Sequence, residues 1–282
     1  MKKLLFSAVV LTLSCLSAFA FEVADNHTYN SSFWKNNVSV SVRPVYALTF
    51  GAEFDIAEHK NFDNHIYAVR LPVSLRSNEY GVIVKPFWYP DNANGAKAAG
   101  GKIMFVAGVN RDEISQMSSQ AFVGAGFAAQ KADLLKNGTV EQNKDFYQLA
   151  YEIGATYNFF NQYSFDISGN AYQYLSGIEG VDSYGGVMNQ QELADLGTLD
   201  YVLALPKGSA GLKIKWFSSI NNSENYISYK YIDFFTQDAV HSLMLGSNLR
   251  VSENVYFNIA YNHLFEQGSD KDIYGGGIML RF

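Results

Sequence analysis

Charged side chains recur at alternate positions inside several apolar stretches of this sequence. Glu53 and Asp55, for example, alternate with Phe54 and Ile56. Because successive side chains of a β-strand point to opposite faces, such charges are predicted to share one face of a sheet, where they could pair or contact charged solutes. The residues predicted to do so are Glu53, Asp55, Arg70, Lys85, Lys102, Glu152, Asp166, Lys213, Lys215, Lys230, Arg250 and Arg281.

His241 and Ser242 come nearest to a general base and nucleophile pair. Adjacent residues of a strand point to opposite faces, so these two are not expected to act together. His263 has no serine at a suitable position on its own predicted strand. The sequence therefore predicts no catalytic residues, and a non-enzymatic protein.

Metal and cofactor sites are not indicated either. The stretch 91–95 falls short of a calcium-binding loop, and no pair of histidines has metal-ligand spacing. Gly275, Gly276 and Gly277 lie within a predicted strand with no helix after them, which excludes a phosphate-binding turn. Cys15 is the only cysteine in the chain.

Alternation of apolar and polar residues recurs in segments of about ten residues, the length and period of membrane-barrel strands. The sequence predicts about twelve antiparallel strands, within a range of ten to fourteen. These predicted strands cover 46–56, 67–76, 80–89, 101–109, 119–129, 147–159, 163–170, 212–216, 226–235, 239–251, 255–262 and 274–282.

Composition favours the same architecture. The 282 residues carry a net charge of −6, which argues against nucleic-acid binding because that needs clustered Lys and Arg. Aromatic residues reach 15%, with 19 Tyr and 21 Phe. A chain with this much apolar surface and no long apolar helix can sit in lipid only as a closed barrel. Aromatic girdles are expected at strand ends, including Phe87, Trp88, Tyr89, Phe234 and Phe235.

The first 37 residues are predicted to lie outside the barrel. Lys2 and Lys3 precede a short apolar run, and Ala18 and Ala20 form a small-x-small cleavage site. Residues 1–20 are therefore predicted to be a secretory signal peptide. Residues 21–37 show no periodicity and are interpreted as a polar lead, which leaves 38–282 for the barrel.

The final strand gives the most specific signal. Tyr274, Ile278, Leu280 and Phe282 share one face, and Arg281 lies on the other. This ending resembles the C-terminal strand of bacterial outer-membrane β-barrel proteins. The resemblance implies an all-β, antiparallel up-and-down transmembrane barrel in the outer membrane. It also implies contact with membrane lipid and lipopolysaccharide, and recognition of the last strand by the barrel assembly machinery.

Within that family both termini and the short turns, at 77–79, 161–162 and 252–254, would face the periplasm. Longer loops, at 91–100, 131–145 and 176–207, would face outside. Asn189 and Glu192 resemble a capping box and predict a short helix in the longest loop.

The shared charged face then becomes the lumen, and two interpretations stay open. The charges could select solutes in a pore, or pair across a narrow barrel and fill it. We expect a passive channel for small hydrophilic solutes, or a structural or surface barrel. The alternative is a lipid-modifying enzyme, or an adhesin or binding protein that acts through its loops. No subfamily and no oligomeric state is indicated.

Overall fold

The computed structural model describes most of the chain after residue 19. It covers residues 20–31, 33–59, 65–77, 79–90, 97–111, 118–159, 162–176, 178, 181–184, 205–219, 222–235, 238–265 and 270–282. Most of the predicted signal peptide, Ala18 included, and the helix predicted at 189–192 lie outside these ranges. Within them, no helix is long and apolar enough to cross a membrane.

The described residues form sixteen strand segments in one antiparallel sheet. They are β1 (Ala20–Tyr29), β2 (Phe33–Val45), β3 (Leu48–His59), β4 (Ile66–Arg70), β5 (Val73–Arg76), β6 (Tyr80–Tyr89), β7 (Lys97–Arg111), β8 (Ser118–Lys136), β9 (Thr139–Phe159), β10 (Tyr163–Ser176), β11 (Val181–Tyr184), β12 (Pro206–Ser218), β13 (Ser223–Phe234), β14 (Val240–Arg250), β15 (Val255–Phe265) and β16 (Lys271–Arg281).

These segments make a closed barrel of 14 strands. β4 and β5 are two halves of one strand, since both pair with β3 on one side and β6 on the other. Pro72 lies between the halves and has no N–H to donate, which accounts for the break. β11 pairs only with the far end of β8. β1 closes the ring against β16, with Glu22 opposite Arg281 and Tyr29 opposite Tyr274.

The two ends of the barrel differ in their connections. Ala20 and Phe282 lie at one end, here called the terminal end, where Phe21 and Phe282 exchange two backbone hydrogen bonds. The turns at 77–79 and 252–254 lie at the terminal end, as does the turn after β9. The opposite end, here called the loop end, carries the connection from β10 to β12.

The outer and inner faces of the wall have opposite character. Most outward positions are apolar and exposed, as for Phe50 and Phe54 on β3, whereas Glu53 and Asp55 on the same strand point inward. Tyr29 stacks on Tyr274 near the loop end of the outer face. An apolar exterior around a polar interior is the reverse of a soluble sheet with one solvated face, and is the pattern of a membrane barrel.

The prediction of a polar lead at 21–37 is wrong, because β1 and the first part of β2 occupy it. The alternation is hidden there by polar residues on the outer face: Asn36 donates to Asp25 at 2.6 Å, and His27 lies beside both. These two strands also explain why about twelve strands were predicted and 14 are present.

The predicted loop at 131–145 is also wrong. β8 and β9 continue well beyond neighbouring β7 and turn at Asn137 and Gly138, both with positive φ. Asn-Gly is a strong signal for such a two-residue hairpin turn. The other two long loops are shorter than predicted, since β7 begins at Lys97 and β12 at Pro206.

Adjacent aromatic residues at a strand end cannot all face outward, because successive side chains of a strand point to opposite faces. Trp88 and Phe235 are exposed, whereas Phe87, Tyr89 and Phe234 are buried inside. The girdle prediction therefore fails for those three residues.

Candidate functional site: the barrel interior

The strand register places all twelve predicted charged residues on the inner face of the barrel. Contacts between strands that are not neighbours mark this face as the concave one. Lys102 on β7 reaches Glu152 on β9 at 2.8 Å, and Lys85 on β6 reaches Glu53 on β3 at 3.1 Å. Such contacts across an intervening strand are favoured on the inner side of a curved wall, where side chains converge.

The charges on β2, β3, β4 and β6 form one network, here called the paired cluster: Lys35, Glu53, Asp55, Arg70 and Lys85. Asp55 is fully buried and lies 2.8 Å from Arg70 and 3.5 Å from Lys35. Arg70 and Lys85 each lie 3.1 Å from Glu53. Asn37 donates a further hydrogen bond to Asp55 at 2.8 Å.

Buried charges need such partners, because an uncompensated charge away from water is very costly. The paired cluster meets that need with two carboxylates and three cations, packed on one side of the interior.

Other ion pairs are separate from this cluster. Lys102 pairs with Glu152, and Lys215 pairs with Asp166 at 2.9 Å. Arg281 pairs with Glu22 across the β1–β16 seam at 2.7 Å. These contacts answer part of the question left open by the sequence, because some inner charges do pair with each other.

The opposite side of the interior carries lysines in a different setting. Lys213 and Lys215 on β12, with Lys230 on β13, are here called the basic strip. The ammonium of Lys213 lies 3.9 Å from the centre of the Tyr226 ring, a cation–π contact. Among the described residues neither Lys213 nor Lys230 has a carboxylate within ion-pair distance.

Glycines leave room around the basic strip. Gly211 lies directly opposite Lys230 on the neighbouring strand. Gly246 lies beneath the Tyr226 ring, where a Cβ atom would collide with it. Small neighbours keep the lysine heads from being enclosed as Arg70 is. Lys213, Lys215 and Lys230 are accordingly only partly buried.

Arginines gather at the terminal end of the interior. Arg281 and Arg250 lie on either side of the Tyr256 ring, 4.7 and 5.9 Å from its centre. Arg43 on β2 and Arg76 on β5 occupy the same end, and Arg76 donates to Ser74. Arg43 and Arg76 were not among the predicted residues: Arg43 precedes the predicted strand at 46–56, and Arg76 is the last residue of the one at 67–76.

The loop end of the interior is apolar, which the sequence analysis missed. Two buried clusters lie there, one on the β3–β10 side and one on the β13–β16 side. Their members are Ala57, Ala68, Phe87, Tyr89, Ala98, Ala128, Ala132, Leu134, Phe146, Ala150 and Leu205, and then Ile232, Phe234, Val240, Leu264 and Ile273. The sequence signal that could have revealed these clusters was the presence of apolar residues at inward-facing positions near the loop end of each strand. Ile178 and Val181, from the β10–β12 connection, pack against the first cluster.

His241 and Ser242 point in opposite directions. His241 lies outside beside Tyr229 and Tyr231, whereas buried Ser242 donates inward to Asn262 at 2.7 Å. The structure thus separates the two groups on opposite faces of the wall. Among the described residues no group of His, Cys, Asp and Glu is arranged to hold a metal ion.

The closing strand has the faces that its sequence indicates. Tyr274, Ile278 and Leu280 follow outward parity on β16, whereas Arg281 points inward to Glu22. Phe282 packs against Phe21 with ring centres 6.4 Å apart.

A closed antiparallel barrel with an apolar outside and a charged inside defines the class of transmembrane β-barrels. Comparison with solved structures gives the same class. The chain is similar to OprB of Pseudomonas putida, with a TM-score of 0.52, 7% identity, and coverage of 97% of this chain and 96% of that one.

It is also similar to the outer-membrane protein Omp33 of Acinetobacter baumannii, with a TM-score of 0.51, 9% identity, and coverage of 94% and 98%. A KdgM porin matches with a TM-score of 0.46, 8% identity, and coverage of 93% and 99%. No family model and no curated protein matches the sequence. The fold is that of porin-like outer-membrane β-barrels.

Proposed function

We propose that the protein is a passive channel of the outer membrane for small hydrophilic solutes. The observation that carries this proposal is an inner wall with charges of both signs, several of which make no ion pair with any described residue. Charges that face a channel interior are the usual means of selecting solutes. The ring of 14 strands also supports a channel, because barrel diameter grows with strand number and small barrels of about eight strands are filled by side chains.

The terminal end would face the periplasm and the loop end the exterior, as in the proteins whose final strand this chain resembles. Membrane lipid and lipopolysaccharide would surround the apolar face. Residues 1–20 would direct export and be removed, with Ala18 and Ala20 at the cleavage site. The assembly machinery would read Tyr274, Ile278, Leu280 and Phe282 on β16.

Planar-bilayer recording with the purified protein tests the proposed channel. We expect discrete conductance steps in potassium chloride. A protein that is folded, as judged by a gel shift between boiled and unboiled samples, yet gives no steps at any salt concentration would refute the channel function. Heat-dependent migration serves as the folding control because a stable barrel resists the detergent until it is boiled.

A further inference from the structure

We infer that the lumen favours anionic solutes, an inference that rests on the proposed channel. Between the terminal end and the level of the paired cluster, the inner strand faces carry eleven cationic and six anionic side chains in the described part of the chain. The cations are Lys35, Arg43, Arg70, Arg76, Lys85, Lys102, Lys213, Lys215, Lys230, Arg250 and Arg281. The anions are Glu22, Glu53, Asp55, Glu152, Asp166 and Glu224.

The sign of this interior is opposite to that of the whole chain. The chain has a net charge of −6, so its acidic excess lies outside this part of the barrel. Composition alone would suggest a protein that repels anions. The position of the charges, and not their total, therefore decides which ions the lumen attracts.

The ion pairs increase the imbalance between positive and negative charges in the lumen, because they neutralise most of the anions. Five of the six anions lie within 3.5 Å of an inner cation, in the pairs described above. The remaining one, Glu224, accepts a hydrogen bond from Asn248 at the terminal end. By contrast, five cations have no carboxylate within ion-pair distance among the described residues. These cations are Arg43, Arg76, Lys213, Lys230 and Arg250.

A close ion pair presents a dipole, whose field falls off faster than that of a single charge. The potential in the lumen is consequently set by the five cations that lack a carboxylate partner among the described residues, against one anion there, Glu224, that lacks a cation. Charges within about 8 Å of a solute act on it with little screening at physiological ionic strength. Low-dielectric walls of one sign also concentrate the field and raise the local concentration of counter-ions.

The cations that lack a carboxylate partner among the described residues occur at two levels along the channel. Arg43, Arg76 and Arg250 lie at the terminal end, and Lys213 and Lys230 lie deeper, on the basic strip. A solute that crosses the barrel would meet both levels in turn. The chemical class that fits is a small hydrophilic solute with a carboxylate, sulfate or phosphate group.

Reversal potentials under a potassium chloride gradient test this inference. We expect wild-type channels to pass chloride in preference to potassium, and a K213Q and K230Q double variant to lose at least about half of that preference. A K97Q and K131Q double variant is the matched control, since it removes two lysines that lie opposite each other on the outer face. Its ion preference should match the wild type.

The outcomes separate this inference from the channel itself. Conductance steps with a preference for potassium would overturn the inference and leave the channel standing. An anion preference that the K213Q and K230Q changes leave unaltered would overturn the role given to the basic strip. Absence of steps from folded protein would refute the channel, as stated above.

Discussion

Two opposite sides of the lumen hold their positive charges in different ways. On the side of β2–β6, Arg70 is 7% exposed, and Lys35 and Lys85 share the carboxylates of Glu53 and Asp55 with it. On the side of β12 and β13, Lys213 rests on an aromatic ring and Lys230 has no carboxylate neighbour in the described residues.

The difference follows burial. Asp55 has no exposed surface, so its charge requires partners, whereas the lysines of the basic strip remain in contact with the interior space. The paired cluster therefore stabilises the wall, and the basic strip supplies charge to the lumen. The experiments below change the paired cluster, the surroundings of the basic strip, or the Lys102–Glu152 pair on the strands between them.

Loss of the Asp55 carboxylate is expected to have the largest effect, a fall in the free energy of unfolding. D55A would remove the carboxylate that lies 2.8 Å from Arg70 and 3.5 Å from Lys35. Breaking a buried ion network costs about 3–5 kcal/mol of unfolding free energy. Equilibrium unfolding of the purified barrel in urea measures it. E224A serves as the control, because Glu224 is exposed and makes one hydrogen bond at 3.3 Å. Equal stability of D55A and E224A would show that the paired cluster is not structural.

An intermediate effect is expected at Gly246 on β14. G246V would force the Tyr226 ring off the wall and so deprive Lys213 of its aromatic contact. Overpacking of this kind costs about 1–3 kcal/mol. The matched change G169V should cost less, since the nearest atom to a Cβ there is 3.7 Å away. Unfolding midpoints that fall equally for both variants would contradict the packing described around Tyr226.

A smaller effect, on selectivity, is expected when a paired lysine is released. E152Q removes the carboxylate that lies 2.8 Å from Lys102, so that the charge of Lys102 is no longer offset by it. The chloride preference in bilayer recordings should rise by less than about two-fold, because only one charge changes. Adding K102Q to E152Q restores the original charge balance and should restore the original preference. A preference that stays raised in the double variant would mean that charge balance is not the cause.

The smallest effect is expected for the stability of K213Q. K213Q removes a partly buried side chain that makes a cation–π contact with Tyr226 but no ion pair in the described residues. The unfolding free energy of the variant should therefore fall by only about 0.5–1 kcal/mol. K102Q is the contrasting variant, because it leaves Glu152 without its ion-pair partner. If K213Q were the less stable of the two, the basic strip would be part of the structural framework.

Much of this fold follows from period-two alternation alone. The faces of β3 were predicted residue by residue up to Ile56, because apolar and polar residues alternate there. On β16 the faces of Tyr274, Ile278, Leu280 and Arg281 were predicted in the same way. Alternation also placed the twelve charges on one face, and it separated His241 from Ser242. The class of outer-membrane barrels, and the role of the last strand in closing the barrel, were predicted from the resemblance of the final residues to the C-terminal strand of such proteins.

The predictions that failed did so for physical reasons. β1 escaped detection because Asp25 and His27 lie on its outer face and erase the contrast between its two sides. Ion pairing was also beyond the sequence, since Lys102 and Glu152 are 50 residues apart and meet only because the wall curves. Strand order and curvature, and not local pattern, decide which charges are neutralised. For the same reason the sequence could place the lysines on one face of the sheet but could not distinguish those with a carboxylate partner from those without one.

Liposome swelling with three sugars of similar size tests the central claim most directly. Glucuronate, glucose and glucosamine differ chiefly in charge, from negative through neutral to positive. We predict that liposomes with the wild-type protein admit glucuronate at least as fast as glucose, and glucosamine more slowly than either. Entry of glucosamine ahead of glucuronate, or entry of none of the three, would contradict the account of a channel whose interior is governed by unneutralised cations.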